Sequence, residues 1–178
     1  MCSRNRCKNL LYLAPRFFLV IVFMALVGAM ALGNFDLLEP YLFPLHAAQG
    51  RITSYGSNIT IGHYPQTYEL EQLKKERGLD LDISLMSNDL PQEKVLNEQL
   101  ALRTRKIGIG FKNFPLSYVK LDGAENKGRI EQLVKFLRAN SSRKVYIHCY
   151  LGRHRVKAVR DELVRQGLIR DPGGAKGV

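Results

Sequence analysis

The chain has no tryptophan and only three cysteines, two of which, Cys2 and Cys7, fall within its first seven residues. Cys149 therefore has no partner in the remaining sequence, which excludes the disulfide framework of small secreted domains. His46 and His63 lack any Cys, His or Asp at metal-ligand spacing, so no metal is expected, and no residue pattern calls for a cofactor. Basic residues are not interleaved with aromatics and no groove-reading motif occurs, so nucleic acid is not expected as a partner. There is no internal repeat, heptad seam or low-complexity tract, which excludes solenoids and coiled coils. Acidic residues are also scarce, 16 against 27 Lys and Arg, for a net charge of +11 over 178 residues. Such a balance favours anionic partners such as phosphate esters or anionic head groups. The length suits one domain of ordinary size with an N-terminal addition.

Long hydrophobic runs are likewise absent, with one exception. Residues 17–33 (FFLVIVFMALVGAMALG) carry no charge and follow a basic segment, residues 1–16, that holds Arg4, Arg6, Lys8 and Arg16. Extended to residue 35, the run approaches the roughly 20 apolar residues that cross a bilayer. Two readings stand: an uncleaved membrane anchor, or a signal peptide cut near Ala29-Met30-Ala31. A helix buried in a soluble core fits less well, because the run has no polar face. The basic flank precedes the run, whereas Asp36 and Glu39 follow it. The positive-inside rule then holds the N-terminus in the cytoplasm and puts the remainder on the extracytoplasmic side, as a single-pass protein or, after cleavage, an exported soluble one.

Residues 36–50 contain Pro40, Pro44 and Gly50 and read as a linker or surface-hugging arm. Beyond them, strand-like runs cover 52–55 and 59–61, and Pro65 opens a helix over 66–77 that Gly78 stops. Residues 79–86 alternate as a strand, 91–106 form a helix closed by Gly108, and 109–116 form a strand that runs into a loop. Helical spacing of Ile130, Leu133, Val134 and Leu137 marks 127–138; 144–148 reads as a buried strand and 154–166 as the last helix. The alternation implies an α/β domain over residues 51–170 with a mainly parallel central sheet flanked by helices, preceded by one apolar N-terminal helix. Residues 171–178, which include Pro172, Gly173 and Gly174, read as a flexible tail.

The chemistry concentrates between the last strand and the last helix, in His148-Cys149-Tyr150-Leu151-Gly152-Arg153-His154-Arg155. A loop at the carboxyl end of a parallel strand is where open sheets bind ligands. Its backbone N–H groups and the following helix N-terminus make an anion site, and the same groups stabilise a thiolate. Arg155, six positions after Cys149, offers a planar fork for two phosphoryl oxygens. Phosphate and thiolate thus want one place, and attack of sulfur on phosphorus follows.

This segment resembles the HCxxGxxR motif of protein tyrosine and dual-specificity phosphatases. The likeness extends over residues 51–167, including the strand pair and the Gly62-x-x-Pro65 turn, and Gly152-Arg153-His154-Arg155 is similar to the loop ending of atypical compact members. The resemblance implies that Cys149 forms a phosphocysteine intermediate. Tyr150, Leu151, Gly152, Arg153 and His154 would line the phosphate loop, Arg155 would clamp the phosphoryl group, and His148 would tie the loop down. It also implies a general acid on a mobile loop upstream: Asp122, 27 positions before Cys149, is the first candidate and Glu125 the substitute. Substrates would be phosphotyrosine or mixed phosphoprotein, or else a lipid or inositol phosphate, favoured by the anchor and by the extra charge of Arg153 and His154. The family usually has Ser or Thr after the arginine. Val156 stands here instead, which predicts slow breakdown of the intermediate and leaves open a catalytically weak phosphate-binding module.

Overall fold

A computed structural model describes residues 4–170, with side chains from residue 15 onward except that of Phe43. The expected tail at 171–178 lies outside the described residues. Helix α1 (Arg4–Gly33) takes in both the basic segment, from Arg4, and the apolar run, with Pro15 inside it. Its span Pro15–Gly33 is long and apolar enough to cross a membrane, and none of it is buried against the rest of the chain. Nineteen residues at about 1.5 Å each reach roughly 28 Å, close to the thickness of a hydrocarbon core.

Of the two readings of residues 36–50, linker or surface-hugging arm, the structure has the second: the segment is folded against the domain. It forms α2 (Phe35–Leu38), a 3-10 turn (Glu39–Tyr41) and α3 (Phe43–Ala47). Pro40 and Pro44 suggest breaks, but both fall in the first turn of their helices, where a missing N–H costs no hydrogen bond.

Five strands follow: β1 (Thr53–Tyr55), β2 (Ile59–Gly62), β3 (Leu81–Ser84), β4 (Gly110–Asn113) and β5 (Val145–His148). They form one sheet in the order β1-β2-β5-β3-β4, antiparallel between β1 and β2 and parallel elsewhere. The α/β class with a mainly parallel sheet is as expected. The strands expected over 79–86 and 109–116 are shorter, because Leu85 and Phe114 already turn into loops at the carboxyl edge.

Helices α4 (Thr67–Arg77) and α5 (Pro91–Ile107) cover one face, and α6 (Ala124–Ala139) and α7 (His154–Arg165) the other. On the α6–α7 side Ile83, Ile147, Leu133, Val159 and Leu163 form the core; on the other, Leu70, Leu96 and Leu100 pack around Tyr64 and Tyr146. Each such side chain fully removed from water contributes about 1.5–3 kcal/mol. β5 is central, with β2 and β3 as neighbours, so the sheet aims its buried core strand directly at Cys149.

Candidate active site

Strand β5 ends at His148 and α7 begins at His154, so residues 149–153 form the loop that the sequence places between them. Neighbouring segments hold that loop from outside. The carbonyls of His148, Tyr150 and Leu151 accept hydrogen bonds from the backbone N–H groups of Leu85 (2.8 Å), Tyr64 (3.0 Å) and Gly50 (2.7 Å). Gly152 sits at φ +64°, and a Cβ there would lie 2.7 Å from the backbone nitrogen of His63. Both the conformation and the contact require glycine.

Cys149 is 3 % exposed and lies on a cavity of about 210 Å³. Arg155 and His154, from the first turn of α7, line the same cavity, and so do Tyr150 and Leu151. Leu90 and Tyr118 supply further apolar wall from the loops before α5 and after β4. The Tyr118 ring stands edge-on to His154, with centroids 5.9 Å apart, and 6.0 Å from the Arg155 guanidinium. Arg153, by contrast, is exposed at the start of α7.

Arg155 is buried and held by Glu93 of α5. Its Nη1 donates to Glu93 Oε2 at 2.7 Å, and its Nη2 donates to Glu93 Oε1. Nη1 also lies 3.4 Å and 3.5 Å from the carbonyls of Leu85 and Leu116. Burial pulls the guanidinium's pKa down, but the bonds and charge of Glu93, with a smaller contribution from Cys149, outweigh it and hold it above its ordinary value. Arg155 is therefore permanently cationic, and Nε and the second Nη2 proton remain for phosphoryl oxygens. Glu93 is itself fixed, because its Oε2 accepts the Ser87 N–H at 2.6 Å. Sequence reasoning missed Glu93. The available signal was an acidic residue in the first turn of a helix that opens at Pro91, a feature common to many helices.

His148 is fully buried, stacked on Tyr146 at 5.6 Å and edge-on to Tyr64 at 6.0 Å. Its Nε2 lies 3.4 Å from Oδ2 of the equally buried Asp82 on β3. Tyr146 donates its hydroxyl hydrogen to the His63 carbonyl at 2.7 Å, and burial, helped by Asp82 and Glu69, raises its pKa well above the ordinary value. Asp82 was read simply as the polar phase of an alternating strand; in a sheet covered on both faces that phase is buried as well.

The two acid candidates are not brought to Cys149. Asp122 is exposed and lines a separate groove between α6 and α7 with Lys127, Glu131 and Asp161. Glu125 is exposed and paired with Arg129 at 2.7 Å. The loop before Asp122 is stapled by buried Asn126, which accepts from the Ser117 N–H and donates to the carbonyls of Ser117 and Lys120, at 2.8, 2.9 and 2.9 Å. Val156 is 4 % exposed and packs in the apolar core beside Val159 and Leu163. Among the described residues no cluster of three or more His, Cys, Asp or Glu side chains is arranged to hold a metal.

No known family model matches the chain, and no curated protein resembles it closely in sequence. Solved structures resemble it in fold. A DUF442 protein from Shewanella putrefaciens CN-32, described as a candidate phosphatase, superposes with a TM-score of 0.53 at 15 % identity, over 66 % of this chain and 69 % of that one. The core catalytic domain of the PP-IP phosphatase SIW14 from S. cerevisiae matches with a TM-score of 0.46 at 16 % identity, over 66 % of this chain and 75 % of that one. At these identities the likeness establishes shared architecture: the chain has the fold of the Shewanella protein.

Proposed function

We propose that the chain is a cysteine-dependent phosphatase that hydrolyses phosphate monoesters, with phosphotyrosine or mixed phosphoprotein as the substrate class. The observation that carries this reading is the shared cavity of Cys149 and Arg155, with Arg155 held in place by Glu93. The fold shared with the Shewanella protein, itself described as a candidate phosphatase, supports it. Walls of Leu90, Tyr118, Tyr150 and Leu151 suit an aromatic leaving group stacked above the phosphate.

In the proposed reaction the Cys149 thiolate attacks phosphorus while the bond from phosphorus to the ester oxygen breaks. Arg155 and the loop N–H groups bind the equatorial oxygens as charge shifts. A general acid protonates the departing oxygen; Asp122 can fill that role only if residues 117–122 swing toward the cavity, which breaks bonds made by Asn126. Water then attacks the phosphocysteine and gives its proton to the ionised general acid, the sulfur–phosphorus bond breaks to restore the Cys149 thiolate, and inorganic phosphate leaves.

Two other readings each have an observation behind them. Exposed Arg153 and His154 beside the cavity, with the apolar helix α1, favour a lipid or inositol phosphate. Buried Val156, which offers no hydroxyl, favours a binding module with weak turnover. The same helix is proposed as a single-pass anchor with the domain on the extracytoplasmic side, or as a signal sequence removed on export. The deciding assay compares the full-length chain in detergent with Cys149→Ser on an aryl phosphate, a phosphotyrosyl peptide and an inositol phosphate. Cysteine-dependent release, fastest from the first two, is the expected result. Release that persists in Cys149→Ser, or phosphate binding without release, refutes the phosphatase reading.

A further inference from the structure

The segment that joins α1 to the sheet touches the proposed phosphate loop, main chain to main chain. The Gly50 N–H donates to the Leu151 carbonyl at 2.7 Å. A Cβ on Gly50 would lie 2.3 Å from the Gly152 carbonyl oxygen and 3.1 Å from its carbon. On its other side Gly152 abuts Gly62 and His63 so closely that its own Cβ would come within 2.8 Å of both. The loop is thus pressed between residue 50 and the end of β2, and no side chain fits in either contact.

The segment is itself locked to the domain. Glu39 is 2 % exposed, and its two carboxylate oxygens take hydrogen bonds from His46 Nε2 and Gln66 Nε2, each at 2.9 Å. Gln66 in turn caps α4 in a reciprocal arrangement with Glu69. Two residues past the end of α1, the Phe35 ring packs edge-on against Tyr150, 6.0 Å between centroids, and Tyr150 lines the Cys149 cavity. A passive tether requires none of this; an acidic side chain withdrawn from water is costly unless hydrogen bonds compensate it, and here both compensating donors fix the segment, His46 within it and Gln66 from the domain.

We infer that residues 34–50 are a strap that holds the loop in its working shape, with Gly50 and Glu39 as positioning residues that act through Leu151 and Gly152. The inference rests on the phosphatase reading for its catalytic meaning. Its structural content is independent. It also links the segment that follows α1 to the Cys149 loop through two contacts, Phe35 on Tyr150 and Gly50 on Leu151.

The test uses the full-length chain in detergent micelles, with Gly50→Ala, Glu39→Ala and Glu39→Gln. Gly128→Ala is the control, since a Cβ there meets nothing within 4 Å. Two quantities are read: kcat and KM on an aryl phosphate, and the rate of Cys149 alkylation by iodoacetamide, followed on the peptide that contains it. Gly50→Ala is expected to lower kcat by at least about tenfold, in line with the effect of sub-ångström misplacement, and to change the alkylation rate at least threefold. Glu39→Ala should follow in the same direction, while Glu39→Gln, which keeps one of the two acceptor oxygens, restores part of the loss. Wild-type kcat and alkylation in both Gly50→Ala and Glu39→Ala overturn the strap. If Gly50→Ala does not fold, the Glu39 pair decides alone. If the wild type releases no phosphate yet the variants still shift alkylation, the phosphatase reading falls and the strap stands.

Discussion

Truncating Glu93 tests the heart of the site without touching a group that reacts. Arg155 is 4 % exposed and Glu93 7 %, so the pair is shielded from the water that makes surface ion pairs nearly worthless. Glu93→Ala leaves the guanidinium buried with no counter-charge, a loss of about 3–5 kcal/mol in comparable buried pairs. It also strands the Ser87 N–H, which now donates to Glu93 at 2.6 Å; that penalty, about 1–3 kcal/mol, overlaps the first. A total near 4 kcal/mol is a large part of an ordinary domain's 5–15 kcal/mol and lowers Tm by on the order of 10–15 °C. Urea unfolding gives the free energy directly. A second arm removes both partners: Glu93→Ala with Arg155→Met should lose less than the sum of the single losses, because no orphaned charge remains. Glu93→Gln keeps one acceptor and falls between. Catalysis should drop about a hundredfold in Glu93→Ala at a temperature where the variant is still folded, since the guanidinium is no longer aimed. A stability loss below about 1 kcal/mol, or a double variant whose losses simply add, refutes the buried clamp.

The sheet, its helices and the loop that carries Cys149 were legible in the sequence because their signals are local. An apolar 144–148 followed by Gly152 and a helix with Val156, Val159 and Leu163 on one side leaves few alternatives. What was not legible depends on pairs distant in sequence. Glu93 meets Arg155 across 62 positions, and neither its type nor its place in α5 marks it as anything but an exposed first-turn acid. Asp82 reads as the polar phase of a half-buried strand. Only the order β5-β3-β4, which puts β3 inside the sheet, buries it beside His148. The strap was left between linker and surface-hugging arm for a different reason. Pro40, Pro44 and Gly50 are turn residues by local statistics, yet the prolines begin short helices and the glycine is dictated by the loop it touches. Asp122 shows the converse limit. Spacing from Cys149 and a loop context mark it as an acid, but the loop faces the α6–α7 groove.

The remaining predictions concern the two chemical steps. Asp122→Asn should lower kcat by about 10²–10⁴-fold on alkyl phosphates and far less on nitrophenyl phosphate, whose leaving group needs no proton; a rate unchanged from wild type on both removes Asp122 from the reaction and directs the same test to Glu125 and to His154 on the cavity wall. Val156 bears on the second step. Its side chain is buried in the core with Val159 and Leu163, directly after Arg155, so no hydroxyl is available there to assist departure of the sulfur. If that lack makes phosphocysteine breakdown slow, rapid-mix kinetics of the wild type show a burst of aryl alcohol equal to the enzyme concentration, followed by a slower steady state. Val156→Thr then abolishes the burst and raises kcat, while kcat/KM, which reports only the first step, stays as it was. The hydroxyl enters an apolar environment, so the same variant should lose about 1–3 kcal/mol of stability unless it finds a partner. Faster turnover in a less stable protein is thus the paired signature. A variant that loses stability and keeps its burst places the slow step elsewhere, in motion of residues 117–122 or in product release.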